Sequence, residues 1–227
     1  MFETPDDFLP ERRPNTNIYL SIYEGKLCQR RAVETPGFVR YESQSPKTRG
    51  RVSWIREFDY LNGLIIGLER REKETLEGMK YAVVQVTFTN AKGNVAILEV
   101  PVRSEFVARF AKCCENMDLS KPVWMRSFLD RDGHTCVYFK QDGGKVVQKY
   151  TKETPHGLPE WQKDPVTGDY DTRDYWKFLF EKIAAHALPQ IELNRAALQA
   201  ASHDQGTDAL EADTEAPPYT ADDDIPF

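Results

Sequence analysis

Two five-residue runs carry the same three residue types at the same spacing. Trp54-Ile55-Arg56-Glu57-Phe58 and Trp124-Met125-Arg126-Ser127-Phe128 both place Trp, Arg and Phe at alternate positions. In an extended strand alternate side chains share a face, so each run would present a cation between two aromatic rings. Aromatic faces stack unpaired bases, at roughly 1–3 kcal/mol per base, and Arg neutralises phosphates. The same residue types also suit a core, because Trp and Phe are favoured inside and Arg can reach out along its stem. The opposite faces, with Ile55 in one run and Val123, Met125 and Leu129 in the other, are themselves partly apolar. Burying an Arg between two rings is costly unless it is paired, and an open groove removes that difficulty.

Further cations and rings fall on shared faces of other expected strands. Tyr138 and Lys140 share one, Lys145 and Lys149 another, and Tyr19 and Tyr23 lie opposite the apolar side of Ile18–Tyr23. Lys47, Arg49 and Arg51 occupy a basic loop that could close on a strand. Arg70 and Arg71 are balanced by Glu69, Glu72 and Glu74 and read as a solvated strand extension.

The last six residues, Asp222, Asp223, Asp224, Ile225, Pro226 and Phe227, form an acidic run closed by an apolar tip. From Ala196 to Phe227 there is no Lys or Arg, while eight acids occur. Such a segment buries too little apolar surface to offset its ordering entropy and is expected to be disordered. Its apolar tip suits docking: Phe227 enters a pocket, its carboxylate meets a cation, and the aspartates meet a basic rim. The tip resembles the C-terminal tip of bacterial and phage single-stranded DNA-binding proteins. The resemblance implies sequence-independent binding and protection of single-stranded DNA, with no cofactor. It also implies a tether for replication, recombination and repair enzymes. Phe227 would fill the partner's pocket, Pro226 would shape the turn into it, Ile225 would add apolar contact, and Asp222, Asp223 and Asp224 would meet basic residues. The close match is confined to residues 222–227. The body departs from the common homotetrameric members in its loop at 34–50 and its helix at 174–188, and is more similar to a divergent phage-type member. Oligomeric state therefore does not carry over.

Charge is divided along the chain. The net charge of −6 hides a body, residues 1–195, with 30 basic and 28 acidic groups, and a tail that carries −8. A near-neutral body can hold a basic groove, and the tail can compete for that groove when DNA is absent. The four cysteines, Cys28, Cys113, Cys114 and Cys136, form no Cys-x-x-Cys, and no His sits at metal-ligand spacing. Adjacent Cys113 and Cys114 fall in a helical pattern and read as buried thiols of a reducing compartment, with no metal site. The acidic N-terminus lacks a signal-peptide pattern, and no apolar run approaches the roughly 18 residues of a membrane span. The expected location is the cytoplasm of a bacterial cell or phage-infected host, with no membrane partner.

These candidates need strands to position them. Alternation and β-prone composition predict strands at Ile18–Tyr23, Val52–Tyr60, Leu64–Leu68 with a kink or bulge marked by Gly63 and Gly67, Tyr81–Thr89 and Val95–Val102. The last two are joined by a hairpin turn at Ala91-Lys92-Gly93-Asn94. Ser104 reads as the N-cap of a helix that ends near Met117. Strands resume at Val123–Leu129, Thr135–Gln141 and Lys145–Tyr150. Strands, one helix, then strands suit a mainly β chain built on a five-stranded, partly open barrel of the oligonucleotide-binding type, with one crossing helix. Another small β-barrel or sandwich with one helix fits the same order. The expected organisation is a flexible arm at 1–16, the DNA-binding domain at 17–152, a loop and helix packed on it at 153–190, and a disordered acidic tail at 191–227. In that reading Asp174–Leu188 is helical, Pro189 interrupts it, and Glu192–Ala201 can continue as weaker helix.

An enzyme is not expected. Asp164, Asp169, Asp171 and Asp174, and the pair Asp130 and Asp132, read better as turn and cap residues than as a metal-binding catalytic cluster. The alternative to DNA binding is an interaction protein or decoy, which uses the tip to engage tail-recognising host enzymes without binding DNA.

Overall fold

The computed structural model describes residues 17–43, 50–75, 78–165 and 167–204. The chain is mainly β, with 42% strand against 23% helix, and holds one large sheet and a few helices. The strands are β1 (Ile18–Tyr23), β2 (Lys26–Arg31), β3 (Val39–Glu42), β4 (Val52–Phe58), β5 (Leu61–Glu74), β6 (Lys80–Thr89), β7 (Val95–Pro101), β8 (Val123–Leu129), β9 (Thr135–Gln141), β10 (Gly144–Lys145), β11 (Gln162–Lys163) and β12 (Tyr170–Asp171). The helices are α1 (Glu105–Cys113), α2 (Arg173–His186) and α3 (Leu188–Asp204).

Ten strands form one sheet in the order β10-β9-β8-β5-β6-β7-β1-β2-β4-β3, with β11 and β12 as a separate pair. It does not close into a barrel. β1 and β7 run parallel and the other pairings are antiparallel. Fourth and ninth in this order are β5 and β4, yet only Asp59 and Tyr60 separate them in the chain. The strands between them must therefore coil until the end of β4 meets the start of β5. The β1–β2 turn sits against this coil. Glu24 and Gly25 both have positive φ, 47° and 72°, as a two-residue hairpin turn requires. A Cβ on Gly25 would lie 2.6 Å from the backbone nitrogen of Leu129, so this turn abuts the end of β8. The expected bulge is present: the β5–β6 register shifts between Ile65 and Gly67.

The core lies between the coiled sheet and the helices. Ser104 caps α1 by accepting from the Val107 amide. Phe106 and Phe110 of α1 meet Phe139 of β9 edge-on, at 5.7 and 5.9 Å. Leu179 and Ile183 of α2 and Ile191 of α3 complete this core.

Two expectations are corrected here. Residues 191–204 belong to α3 and not to a disordered tail, and they include the weaker helix expected at Glu192–Ala201, with Ile191 and Asn194 only 3% and 6% exposed. Pro189 is the second residue of α3, and the first turn tolerates a residue without an N–H. Asn194 Nδ2 donates to the Ile65 carbonyl at 2.9 Å and to the Leu119 carbonyl at 2.7 Å, which pins α3 at the β5 bulge. The strand expected at Lys145–Tyr150 stops at Lys145, because the chain leaves β9 for α1, where the Lys149 amide donates to the Lys112 carbonyl.

Candidate nucleic-acid interface

The β8–β9 pair sorts its side chains cleanly. Val123, Met125, Ser127, Val137 and Phe139 are buried. Their neighbours alternate to the other face, where register sets Trp124 opposite Lys140, Arg126 opposite Tyr138 and Phe128 opposite Cys136. On this outward face the rings form a row. Tyr60 lies 5.3 Å from Trp124, Trp124 5.3 Å from Tyr138, and Tyr138 5.8 Å from Phe128, centroid to centroid. Lys140 Nζ stands 4.8 Å from the Trp124 centroid and 5.8 Å from that of Tyr138. Arg126 is exposed, and Phe128 is 41% exposed. The structure thus gathers Trp124, Arg126, Phe128, Tyr138 and Lys140 on one open face.

Tyr60 is an addition to the sequence reading. It lies in the Asp59–Tyr60 joint between β4 and β5, so only the pairing of β5 with β8 brings it to Trp124. The nearest signal in the sequence is the spacing of Phe58 and Tyr60 at the end of the first triplet.

The first triplet has a different fate. Trp54 and Arg56 are half-buried, but Phe58 is 5% exposed and belongs to the core. The coil of the sheet turns the end of β4 inward, so Phe58 pairs with buried Leu27 and is not available for stacking. The Arg56 guanidinium carbon lies 5.9 Å from the Phe58 centroid, and desolvation lowers its pKa. Trp54 is flanked in register by Arg31 of β2 and Arg40 of β3, both exposed. The sequence reading missed these two cations, since neither strand carries clear apolar alternation. Arg51 is exposed at the start of β4, whereas Lys47, Arg49 and the tip residues Asp222 to Phe227 lie outside the described residues.

No family model, curated protein or solved structure matches this chain.

Tyr23 of β1 is engaged locally, with Tyr41 of β3. Tyr23 and Tyr41 meet edge-on at 5.6 Å, and the Tyr41 hydroxyl donates to Glu24 at 3.0 Å. Burial first, then Tyr23 and Glu24, raise the Tyr41 pKa well above the ordinary phenol value. The carboxylates form turns. Asp130 accepts from the amides of Asp132 and His134 at 2.9 and 2.8 Å, and its pKa is lowered chiefly by the His134 bond. Asp130, Asp132 and His134 approach within 4.8 Å of one another as the tip of the β8–β9 hairpin. Asp171 accepts from the Arg173 side chain, which brings its pKa down to about 2.

Proposed function

We propose that this chain binds single-stranded DNA without sequence preference, through the outward face of β8 and β9. In this reading it protects exposed strands in replication, recombination and repair, and uses residues 222–227 to recruit enzymes of those processes. The supporting observation is the row Tyr60-Trp124-Tyr138-Phe128 with Lys140 against its rings. Rings on an open face accept the faces of unpaired bases, whereas a duplex keeps its bases stacked inside. Arg126 and Lys140 supply the phosphate-neutralising charge.

An oligonucleotide-binding barrel is the finer fold reading. Tracing β5, β6, β7, β1 and β2 returns to β4, which runs into β5, and the circuit contains one parallel pair. That circuit, with α1 beside it, supports such a barrel elaborated by the β8–β9 hairpin and by β3. A cytoplasmic setting fits a chain in which no cysteine forms a disulfide and no helix of the described residues is long and apolar enough to cross a membrane.

The test is fluorescence anisotropy of a labelled oligo-dT, with a duplex of equal length as competitor. Expected are binding that weakens as salt rises and a failure of the duplex to displace the strand. No binding at low salt would overturn the DNA reading and leave the tip as the mark of an interaction protein.

A further inference from the structure

The outward face continues past Trp124 onto β5. Asn62 of β5 is the direct register partner of Trp124, so Lys140, Trp124 and Asn62 stand in line across three strands. Beyond Asn62 opens a cleft of about 890 Å³. Its lining takes in Leu64 of β5, the β6–β7 turn with Lys92, Ser120, and Leu198 on α3. The size falls within the roughly 300–1,000 Å³ of sites that take small ligands. Two features of the lining point to a nucleotide. None of its described residues is acidic, in a chain with 36 acids, and its one charged group is the exposed Lys92. Its uncharged polar side chains, Asn62, Thr89, Asn90 and Ser120, share the lining with apolar Leu64 and Leu198. Gly63, also in the lining, lets β5 and β6 close tightly there, since a Cβ on it would lie 2.7 Å from the Thr89 carbonyl oxygen.

We propose that this cleft holds the nucleotides that follow those stacked on the ring row, a proposal that rests on the row binding single-stranded DNA. Lys92 meets a phosphate, Asn62 and Ser120 hydrogen-bond base edges or sugar, and Leu64 and Leu198 take a base face. The strand then crosses from β9 over β8 and β5 to the β6–β7 turn, and its end is held against α3.

The experiment compares a short and a long oligo-dT, of about 4 and 16 nucleotides, the span of site sizes for such folds. The full chain is measured beside Lys92→Glu, which reverses the cleft's charge, and Leu198→Trp, which fills it. Losing one held base predicts a roughly 5- to 150-fold weaker affinity for the long strand in Leu198→Trp, and an unchanged affinity for the short one. Lys92→Glu should weaken the long strand selectively as well. Unchanged long-strand affinity in both variants would overturn the proposal, as would an equal loss at both lengths. A rise in long-strand affinity for Lys92→Glu would assign the cleft to the chain's own acidic segment 205–227 and also overturn it. If the unaltered protein binds neither length, the ring-row reading itself fails.

Discussion

The two Trp-x-Arg-x-Phe runs are alike in sequence and differ in placement. In β8 the triplet stands on the outward face, and Phe128 is 41% exposed. In β4 the same spacing ends with Phe58 in the core at 5% exposed. Period-2 alternation tells which residues share a face; it does not tell whether that face meets water along its whole length. β8 is flanked by β5 and β9 and carries its face outward from end to end. β4 runs into the coil that brings it to β5, so one face starts beside exposed Arg31 and Arg40 and finishes among Leu27, Leu61 and Phe58.

The widest separation between the two regions should come from removing each phenyl ring. Phe58→Ala leaves a cavity in the core and should cost about 3–5 kcal/mol of stability. Phe128→Ala should cost about 0.5 kcal/mol or less, and its loss should fall on DNA affinity instead. Urea unfolding with anisotropy on both variants checks this. Equal destabilisation would mean that the β8 triplet is as structural as the β4 one.

A smaller effect separates the tryptophans. Trp124→Ala should weaken oligo-dT binding by about 1–3 kcal/mol, a roughly 5- to 150-fold rise in Kd, while the protein stays folded. Trp54 touches the problem from the other side: its neighbours Arg31 and Arg40 suit phosphates, yet its triplet runs into the core at Phe58. Trp54→Ala should therefore cost less than Trp124→Ala. The reverse order, read by the same titration, would move the main stacking surface to β4.

Much of this was legible in the sequence because it depends on local patterns. Alternation located β1, β4, β6, β7, β8 and β9, Gly63 and Gly67 signalled the β5 bulge, and Ser104 marked the start of α1. The β8 triplet and its partners Tyr138 and Lys140 needed only one hairpin to come together. What was hidden depends on distant pairing. β2, with Lys26, Gln29, Arg30 and Arg31, lacks the apolar content of a strand and exists because β1 and β4 pair with it on either side. Tyr60 joins the ring row only through the β5–β8 pairing. Residues 191–204 look polar enough for a tail, but Asn194 finds two backbone carbonyls 129 and 75 positions away, which no local pattern encodes.

The subtlest difference between platform and core lies in the thiols. Cys28, Cys113 and Cys114 are buried; burial pushes the Cys113 thiol up to about 11 and the Cys114 thiol up to about 12. Cys136 is half-buried and stands opposite Phe128 on the outward face. Partial burial, with Asp130 nearby, raises its pKa too, so at neutral pH less of it is thiolate than in an ordinary exposed cysteine. Access still ranks it first. A disulfide reagent applied to the native protein should therefore modify one thiol well ahead of the other three, at a rate that climbs as pH rises toward that raised pKa. Saturating oligo-dT should slow the modification severalfold, because a strand stacked on Tyr138 and Phe128 covers Cys136, the register partner of Phe128. Mass mapping of the labelled peptide decides it. Undiminished labelling of Cys136 by a protein that is fully DNA-bound would mean that the strand leaves the ring row before Phe128, and would shorten the interface to Tyr60, Trp124 and Tyr138.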